Sequence, residues 1–242
     1  MTGIFFDIDD TLYSRRDLLI LAASETYRDM AGGGLPGETF LEAFYGLSDA
    51  NFALVESGAI TAWESNVWRF EKALLQMGLP CPPGAGDAFA ERYTFLQNHI
   101  TLSPLLERTF SDLSREGSGR LCLGVITNGP SAHQRRKFDM LGLERYIPRK
   151  YLVVSGEAGF SKPDEGIFRA AEKAMELPPE HLWIVGDSLR HDIEGARSAG
   201  WHTIWFDRSR DGHSRGAADI TVHSEEELSG ALEDTFLRVN SV

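Results

Sequence analysis

The fold class is indicated most clearly by the stretch Ile4-Phe5-Phe6-Asp7-Ile8-Asp9-Asp10-Thr11. It begins with three apolar residues and then turns to carboxylates at Asp7, Asp9 and Asp10. A parallel strand that is covered on both faces reads as a short apolar run, and its carboxyl end opens into a loop that can hold a ligand. The stretch therefore predicts a buried parallel strand with an acidic cleft at its end.

Five more short apolar runs follow, and the first three of them stop at polar, turn-forming residues. Helical patterns lie between the runs, and the last helix is predicted to begin with a capping box of Ser224 and Glu227. This alternation predicts an α/β fold with a doubly wound, mostly parallel, Rossmann-like sheet and right-handed connections. The predicted strands are 4–6, 121–126, 151–154, 182–185, 202–206 and 220–222, and the predicted intervening helices are 131–141, 164–175 and 193–199.

The segment after the first strand breaks this alternation. It shows helical patterns, as at 17–30 and 62–77, and no convincing strand. An inserted all-helical domain is the simplest explanation, and two chain crossings would make it a lid over the sheet. The predicted boundaries are 1–13 and 101–242 for the α/β core, 14–100 for the helical insert, and 13–16 and 100–104 for the hinges.

The composition excludes several classes of partner. The chain has 242 residues, of which 42% are hydrophobic, so it can bury a substantial core. Its 36 acidic residues outnumber its 24 basic ones, and the formal charge of −12 repels polyanions. We therefore expect a small molecule as the partner, and neither a nucleic acid polymer nor a membrane.

The sequence favours a cytoplasmic protein. Its amino terminus lacks the basic start and long apolar run of a signal peptide, and no apolar run is long enough to span a bilayer. The two cysteines, Cys81 and Cys122, lie far apart without a metal-ligand spacing, which is typical of a reducing compartment. Because no heptad seam is present, monomer and homodimer are equally expected.

Candidate site residues follow the apolar runs, because ligands of open parallel sheets bind at the carboxyl ends of the strands. Asp7, Asp9 and Asp187 would share one cleft, and two carboxylates about 4 Å apart repel each other by roughly 4 kcal/mol at a surface-like dielectric. Such a cluster requires a cation. Since all the donors are oxygens, the predicted ion is Mg²⁺, which also accepts phosphate oxygens. The candidates are Asp7, Asp9, Thr127, Lys162, Asp187 and Asp192.

These residue types suit phosphoryl transfer. The carboxylate of Asp7 is placed to attack phosphorus, since an aspartyl phosphate is labile enough to be hydrolysed afterwards. Asp9 could protonate the leaving alkoxide and then deprotonate the attacking water. Thr127 and Asn128 would offer a hydroxyl and backbone N–H groups to the transferred oxygens, and Lys162 would offset the negative charge.

With these residues the sequence resembles the haloacid dehalogenase superfamily. Its four signatures appear in order as Asp7-Ile8-Asp9-Asp10-Thr11, then Thr127, then Lys162-Pro163, then Gly186-Asp187 with Asp192. The resemblance implies that Asp7 is the nucleophile and Asp9 the acid and base. It also implies that Asp7, Asp187 and the backbone carbonyl of Asp9 bind Mg²⁺. Asp192 is implied to hold Lys162 or a metal-bound water.

The helical insert resembles that of the helical-cap subfamily. Thr127-Asn128-Gly129, Gln134 and Lys137 are similar to residues of its pyrimidine 5′-nucleotidase members, and phosphoglycolate phosphatase-like members are also similar. The resemblance implies an Mg²⁺-dependent phosphatase of small phosphorylated metabolites, with nucleoside 5′-monophosphates among the candidates. Nucleotide, sugar phosphate and phosphoglycolate all stay open, because spacing does not give the directions of cap side chains.

Three alternative functions differ from this one in the residues that they require. The superfamily's haloacid dehalogenases lack the second aspartate, so Asp9 argues against a dehalogenase. Its sugar-phosphate mutases use acid or base groups from the cap, whereas residues 14–98 contain no histidine and only one lysine, Lys72. A catalytically silent binding or regulatory protein on the same fold would show a broken signature, and none is broken.

Overall fold

The computed structural model describes residues 1–208 and 216–238. The chain divides into two compact units, Met1–Tyr13 with Ile100–Val242, and Ser14–His99. The first unit contains the sheet and the second is helical. Within the described residues, no helix is both long and apolar enough to cross a bilayer.

A six-stranded parallel sheet forms the centre of the first unit, with strand order β3-β2-β1-β4-β5-β6. The strand β1 is fully buried from Gly3 to Phe6, as its apolar sequence requires. The chain leaves β1 for β2 on one side and later returns to β4 on the other, so the sheet is doubly wound and the predicted fold class is confirmed. The strands are β1 (Thr2–Phe6), β2 (Leu121–Thr127), β3 (Leu152–Val154), β4 (Leu182–Gly186), β5 (His202–Phe206) and β6 (Ile220–Val222).

The helical unit, Ser14–His99, is built around buried aromatic rings. Phe40, Phe44, Phe70 and Phe89 are almost fully buried, and the rings of Phe70 and Phe89 stack with centroids 4.5 Å apart. Such a cluster supplies much of the apolar burial that this small unit needs. Its helices are α1 (Arg15–Ala31), α2 (Gly37–Gly46), α3 (Ser48–Glu56), α4 (Ala62–Gln76) and α5 (Ala85–Gln97).

Most helices of the first unit lie between its strands along the chain. The ring of Phe5 packs where Gly124 lacks a side chain, since a Cβ at Gly124 would lie 2.3 Å from that ring. Phe5 and Trp201 belong to the apolar cluster on this face of the sheet. The helices are α6 (Pro104–Glu116), α7 (Ser131–Met140), α8 (Ser155–Ala158), α9 (Glu165–Met175), α10 (Gly195–Ser198) and α11 (Glu225–Phe236), with π-helical Leu189–Glu194 before α10 and short 3₁₀ turns at Leu143–Arg145, Arg149–Tyr151 and Pro179–His181.

Two local features differ from the sequence predictions. The helical conformation predicted from 193 already begins at Leu189, because the Ser188 hydroxyl accepts a hydrogen bond from the His191 N–H at 3.2 Å and caps the turn. At α11, Ser224 caps the N–H of Glu227, but the Glu227 carboxylate accepts from the N–H of His223 at 2.8 Å rather than from Ser224. The capping box is therefore not closed there.

Candidate active site

The candidate site lies at the carboxyl ends of three adjacent strands. Asp7 follows β1, Thr127 is the last residue of β2, and Asp187 follows Gly186 at the end of β4. Since β2, β1 and β4 are neighbours in the sheet, these residues lie close together at the carboxyl-terminal edge of the sheet, although they are far apart in the sequence. The order of the strands thus determines which side chains share the cleft.

A buried ammonium group joins two of the predicted carboxylates. Lys162 Nζ lies 2.5 Å from Asp7 Oδ1 and 2.6 Å from Asp192 Oδ1, and it also donates to the Ile126 carbonyl at 3.0 Å. The side chains of Lys162, Asp7 and Asp192 are 3%, 9% and 2% exposed, so solvent does little to screen these charges. When both aspartates are ionised, this one lysine leaves a net negative charge in the site.

The environment of this cluster shifts two pKa values. Burial raises the pKa of Asp7 from 3.8 to about 7, although Lys162 acts in the opposite direction. Burial acts to lower the pKa of Lys162, but the carboxylates of Asp192 and Asp7 outweigh it and raise that pKa. Lys162 is thus a permanent cation, whereas the charge of Asp7 depends on what else binds beside it.

The three aspartates Asp7, Asp187 and Asp192 offer carboxylate oxygens that all lie within 4.8 Å of one another. This all-oxygen donor set fits a hard divalent cation such as Mg²⁺. Asp192 is already engaged at both oxygens, because Oδ1 faces Lys162 and Oδ2 accepts from the Ser188 N–H at 3.0 Å. Asp7 and Asp187 are therefore the side chains best able to hold the ion.

The half-buried Asp187 is positioned through its backbone and its side chain. The indole N–H of Trp205 donates to the Asp187 carbonyl oxygen at 2.8 Å, and the Thr11 hydroxyl donates to Asp187 Oδ1 at 3.5 Å. Trp205 comes from β5, the strand beside β4. This contact could not be predicted from the sequence, since spacing does not show which indole reaches the loop after the neighbouring strand.

Thr127 and Asn128 form the loop after β2. The Thr127 hydroxyl is buried, and no group of the described residues satisfies it. A buried hydroxyl without a partner is costly, so this position is prepared for a polar ligand. The Asn128 side chain instead closes two hydrogen bonds with the backbone of Lys162, at 2.9 and 2.8 Å. Its backbone N–H is a further donor for a phosphate.

Asp9 lies outside this aspartate cluster and has its own partners. Lys137 Nζ donates to both oxygens of Asp9, at 2.6 and 2.7 Å, and Gln134 Nε2 donates to Oδ2 at 3.3 Å. The Tyr13 hydroxyl also donates to Asp9 Oδ1. The contacts of these partners with Asp9 are not among the sequence predictions. The one available signal is that Gln134 and Lys137 lie three residues apart and so share one face of α7.

The loop between β1 and α1 makes a tight turn. Asp10 has a φ of 61°, a left-handed conformation that aspartate tolerates better than most residues. Arg208 Nε donates to the Asp10 carbonyl at 2.8 Å, and the Leu12 N–H donates to the Ile8 carbonyl at 3.0 Å. The turn returns Tyr13 to the side of Asp9.

Comparison with known proteins agrees with this geometry. The model of the haloacid dehalogenase-like hydrolase family matches residues 1–200. The chain belongs to this family. The resemblance drawn from the four sequence signatures is thereby confirmed for this haloacid dehalogenase-like hydrolase, and so is the prediction of an enzyme.

Two curated relatives and one solved structure illustrate the range of this hydrolase family. A phosphoserine phosphatase of Thermus thermophilus is 30% identical over 83% of this chain and 75% of that protein. The pyrimidine 5′-nucleotidase YjjG of Escherichia coli is 28% identical over 95% of this chain and 96% of that protein. The HAD-hydrolase YfnB from Bacillus subtilis, solved bound to magnesium, superposes with a TM-score of 0.63 at 25% identity and covers 96% of this chain and 98% of that one. The hydrolase is thus of the phosphatase type.

Proposed function

We propose that the protein is an Mg²⁺-dependent phosphatase that transfers the phosphoryl group of a small phosphorylated metabolite to Asp7. One observation carries this proposal. Around Asp7, the buried cation Lys162, the carboxylate of Asp187 and the unsatisfied hydroxyl of Thr127 converge on one edge of the sheet. A nucleophile, a countercharge, a metal ligand and a phosphate donor are the parts that phosphoryl transfer needs.

The first half-reaction places a bond between Asp7 and phosphorus. The free oxygen of the Asp7 carboxylate attacks, the bond from phosphorus to the leaving oxygen breaks, and an aspartyl phosphate forms. Lys162 stays charged and offsets the negative charge that accumulates beside Asp7. Thr127 and the backbone N–H of Asn128 donate to the transferred oxygens. Neither Lys162 nor Thr127 has to move a proton.

Asp9 acts as the general acid and then as the general base. It gives a proton to the leaving oxygen in the first half-reaction, and it accepts one from the attacking water in the second. The water oxygen then joins phosphorus, the bond to Asp7 breaks, and inorganic phosphate leaves. Asp9 ends each cycle in its starting protonation state.

The carboxylates of Asp7 and Asp187, with the backbone carbonyl of Asp9, would hold the Mg²⁺. When bound, the ion neutralises these acids and orients the phosphoryl oxygens. The raised pKa of Asp7 supports this assignment, because a buried carboxylate beside another acid needs an additional cation to remain ionised at neutral pH.

The substrate class follows from charge and from the relatives. The acidic chain offers no overall attraction to polyanions, and a phosphoserine phosphatase and a pyrimidine 5′-nucleotidase are both similar to it. A phosphate monoester of metabolite size fits these facts, with nucleoside 5′-monophosphates as the narrower candidate. The helical unit, Ser14–His99, is proposed to act as the cap that selects the leaving group.

Phosphate release tests the proposal. Release from p-nitrophenyl phosphate is measured with Mg²⁺ and with EDTA, for the wild-type protein, Asp7→Asn and the surface control Asp234→Asn. We expect Mg²⁺-dependent release that only Asp7→Asn abolishes. Release that survives EDTA or the Asp7 change would overturn the mechanism. A panel of nucleotides, sugar phosphates, phosphoserine and phosphoglycolate then ranks the substrates by kcat/KM.

A further inference from the structure

We propose that Lys137 is a positioning residue, which aims the carboxyl group of Asp9 at the oxygen of the leaving group. This inference rests on the proposed function, because it assigns a role within the same reaction. Three side chains hold Asp9, namely Lys137, Gln134 and Tyr13. They belong neither to the four family signatures nor to the aspartate cluster around Asp7.

The contact between Lys137 and Asp9 fixes the plane of the carboxyl group. Nζ lies 2.6 Å from Oδ1 and 2.7 Å from Oδ2, so it bridges the two oxygens almost symmetrically. The Lys137 side chain is 8% exposed and that of Asp9 is 17% exposed. A charged hydrogen bond shielded from solvent is stronger than a surface ion pair, and it limits rotation of the carboxyl group.

Two further donors contact Asp9. Gln134 Nε2 reaches Asp9 Oδ2 at 3.3 Å and the Asn128 carbonyl oxygen at 2.9 Å. The Tyr13 hydroxyl donates to Oδ1, and Lys137 Nζ also lies 5.9 Å from the centre of the Tyr13 ring. Through Gln134, the same helix face contacts both Asp9 and the loop after β2.

The helix α7 directly follows the loop that contains the proposed phosphate donors. The helix begins at Ser131, directly after the loop of Thr127 and Asn128, and Gln134 and Lys137 lie on its first turns. Because α7 is joined to that loop, its side chains keep a set position relative to the proposed phosphate donors. Lys137 therefore fixes the position of Asp9, the proposed proton donor, relative to the proposed phosphate donors of that loop.

Protonation of the leaving group gives this role a specific signature. An alkoxide is a poor leaving group and needs the proton of Asp9 as its bond to phosphorus breaks, whereas 4-nitrophenolate leaves without one. A misdirected Asp9 should thus slow transfer from an alkyl phosphate and spare transfer from p-nitrophenyl phosphate. Damage to Asp7, to the metal site or to the fold would slow both.

The test compares kcat/KM for an alkyl phosphate monoester and for p-nitrophenyl phosphate, because kcat/KM reports the steps through transfer to Asp7. For Lys137→Met we expect a loss of about 10- to 100-fold with the alkyl ester and less than about 3-fold with the aryl ester. Asp9→Asn should show the same asymmetry, and the double variant should lose no more than Asp9→Asn alone.

Three further variants serve as controls for Lys137→Met. Arg136→Met removes an exposed cation from the same helix. It should leave kcat/KM unchanged for both the alkyl and the aryl ester. Lys137→Arg should restore part of the alkyl activity. If Lys137→Met does not fold, as judged by its melting curve, Tyr13→Phe removes one donor to Asp9 and should show a weaker asymmetry in the same direction.

Equal losses with both esters, or no loss with either, would overturn the role of Lys137. Retained activity in Asp7→Asn would overturn the proposed function instead. The two failures are distinguishable, because an enzyme that depends on Asp7 but shows no leaving-group asymmetry contradicts only the inference about Lys137.

Discussion

Lys162 Nζ lies 2.5 Å from Asp7 Oδ1, and both side chains are almost fully buried. This contact joins the residue proposed to attack phosphorus to a cation that stays charged. Because Asp192 holds the same ammonium group at 2.6 Å, the position of Lys162 is fixed from two sides.

Replacement of Lys162 by methionine should abolish most of the activity. The variant keeps the volume of the side chain but removes the charge that offsets Asp7 and the transferred phosphoryl group. We expect kcat with p-nitrophenyl phosphate to fall by about 100-fold or more. Lys173→Met, an exposed lysine on α9, is the matched control and should keep full activity. Comparable activity in both variants would speak against a role for Lys162.

Asp7→Asn should stabilise the metal-free protein, and the effect should depend on pH. Burial raises the pKa of Asp7 from 3.8 to about 7, so the folded protein keeps a proton that the unfolded chain releases between these values. Its stability therefore falls as the pH rises through this window, whereas the neutral amide has no such dependence. We expect the variant's advantage to grow between pH 5 and pH 8 by roughly 2–3 kcal/mol, at about 1.4 kcal/mol for each pH unit between pH 5 and the raised pKa.

Urea unfolding in EDTA at pH 5 and pH 8 measures this advantage. Asp234→Asn, a surface change on α11, serves as the control and should show no comparable trend. An advantage that stays constant or shrinks toward pH 8 is incompatible with a raised pKa of Asp7.

The two acids near Asp7 should differ in their effect on Mg²⁺ affinity. Asp192 is engaged at both oxygens by Lys162 and Ser188, whereas Asp187 is proposed to touch the ion. We expect Asp192→Asn to weaken binding about 10-fold and Asp187→Asn by more than about 100-fold. Titration calorimetry with Mg²⁺ measures both. The reverse order would make Asp192 the direct ligand.

Gly186→Ala should disturb the site through packing alone. A Cβ at Gly186 would lie 2.4 Å from Asp192 Cγ, so Asp192 and its partner Lys162 would have to move. We expect a loss of stability of about 1–3 kcal/mol together with reduced kcat. Gly230→Ala is the contrast, since no atom lies within 4 Å of its Cβ on α11, and it should stabilise by about 0.5–1 kcal/mol. Equal melting temperatures for the two variants would count against this packing.

The strands could be predicted from the sequence because a strand covered on both faces consists mainly of apolar residues. Ile4-Phe5-Phe6 and the later apolar runs have this property, and the observed strands agree with them within a few residues. The residues after these strands could be predicted as site candidates because parallel strands bring their carboxyl ends to one edge. Asp7, Asp187 and Asp192 do lie close together there.

The partners of Asp9 could not be predicted in the same way. Arg136 and Lys137 are adjacent cations on α7, yet one is exposed and the other is buried against Asp9. The rotation of the helix about its axis decides which one faces the cleft, and that rotation depends on packing across the whole unit. The cytoplasmic location and the monomeric or homodimeric state also stay predictions of the sequence.

Mass spectrometry of a rapidly quenched reaction tests the central claim most directly. The protein is mixed with substrate and Mg²⁺, stopped in acid during turnover, and digested with pepsin at low pH, where an aspartyl phosphate survives. We expect a phosphate on the peptide that contains Asp7, located at Asp7 by fragmentation and absent from Asp7→Asn. Phosphate on a different residue, or continued turnover by Asp7→Asn, would contradict it.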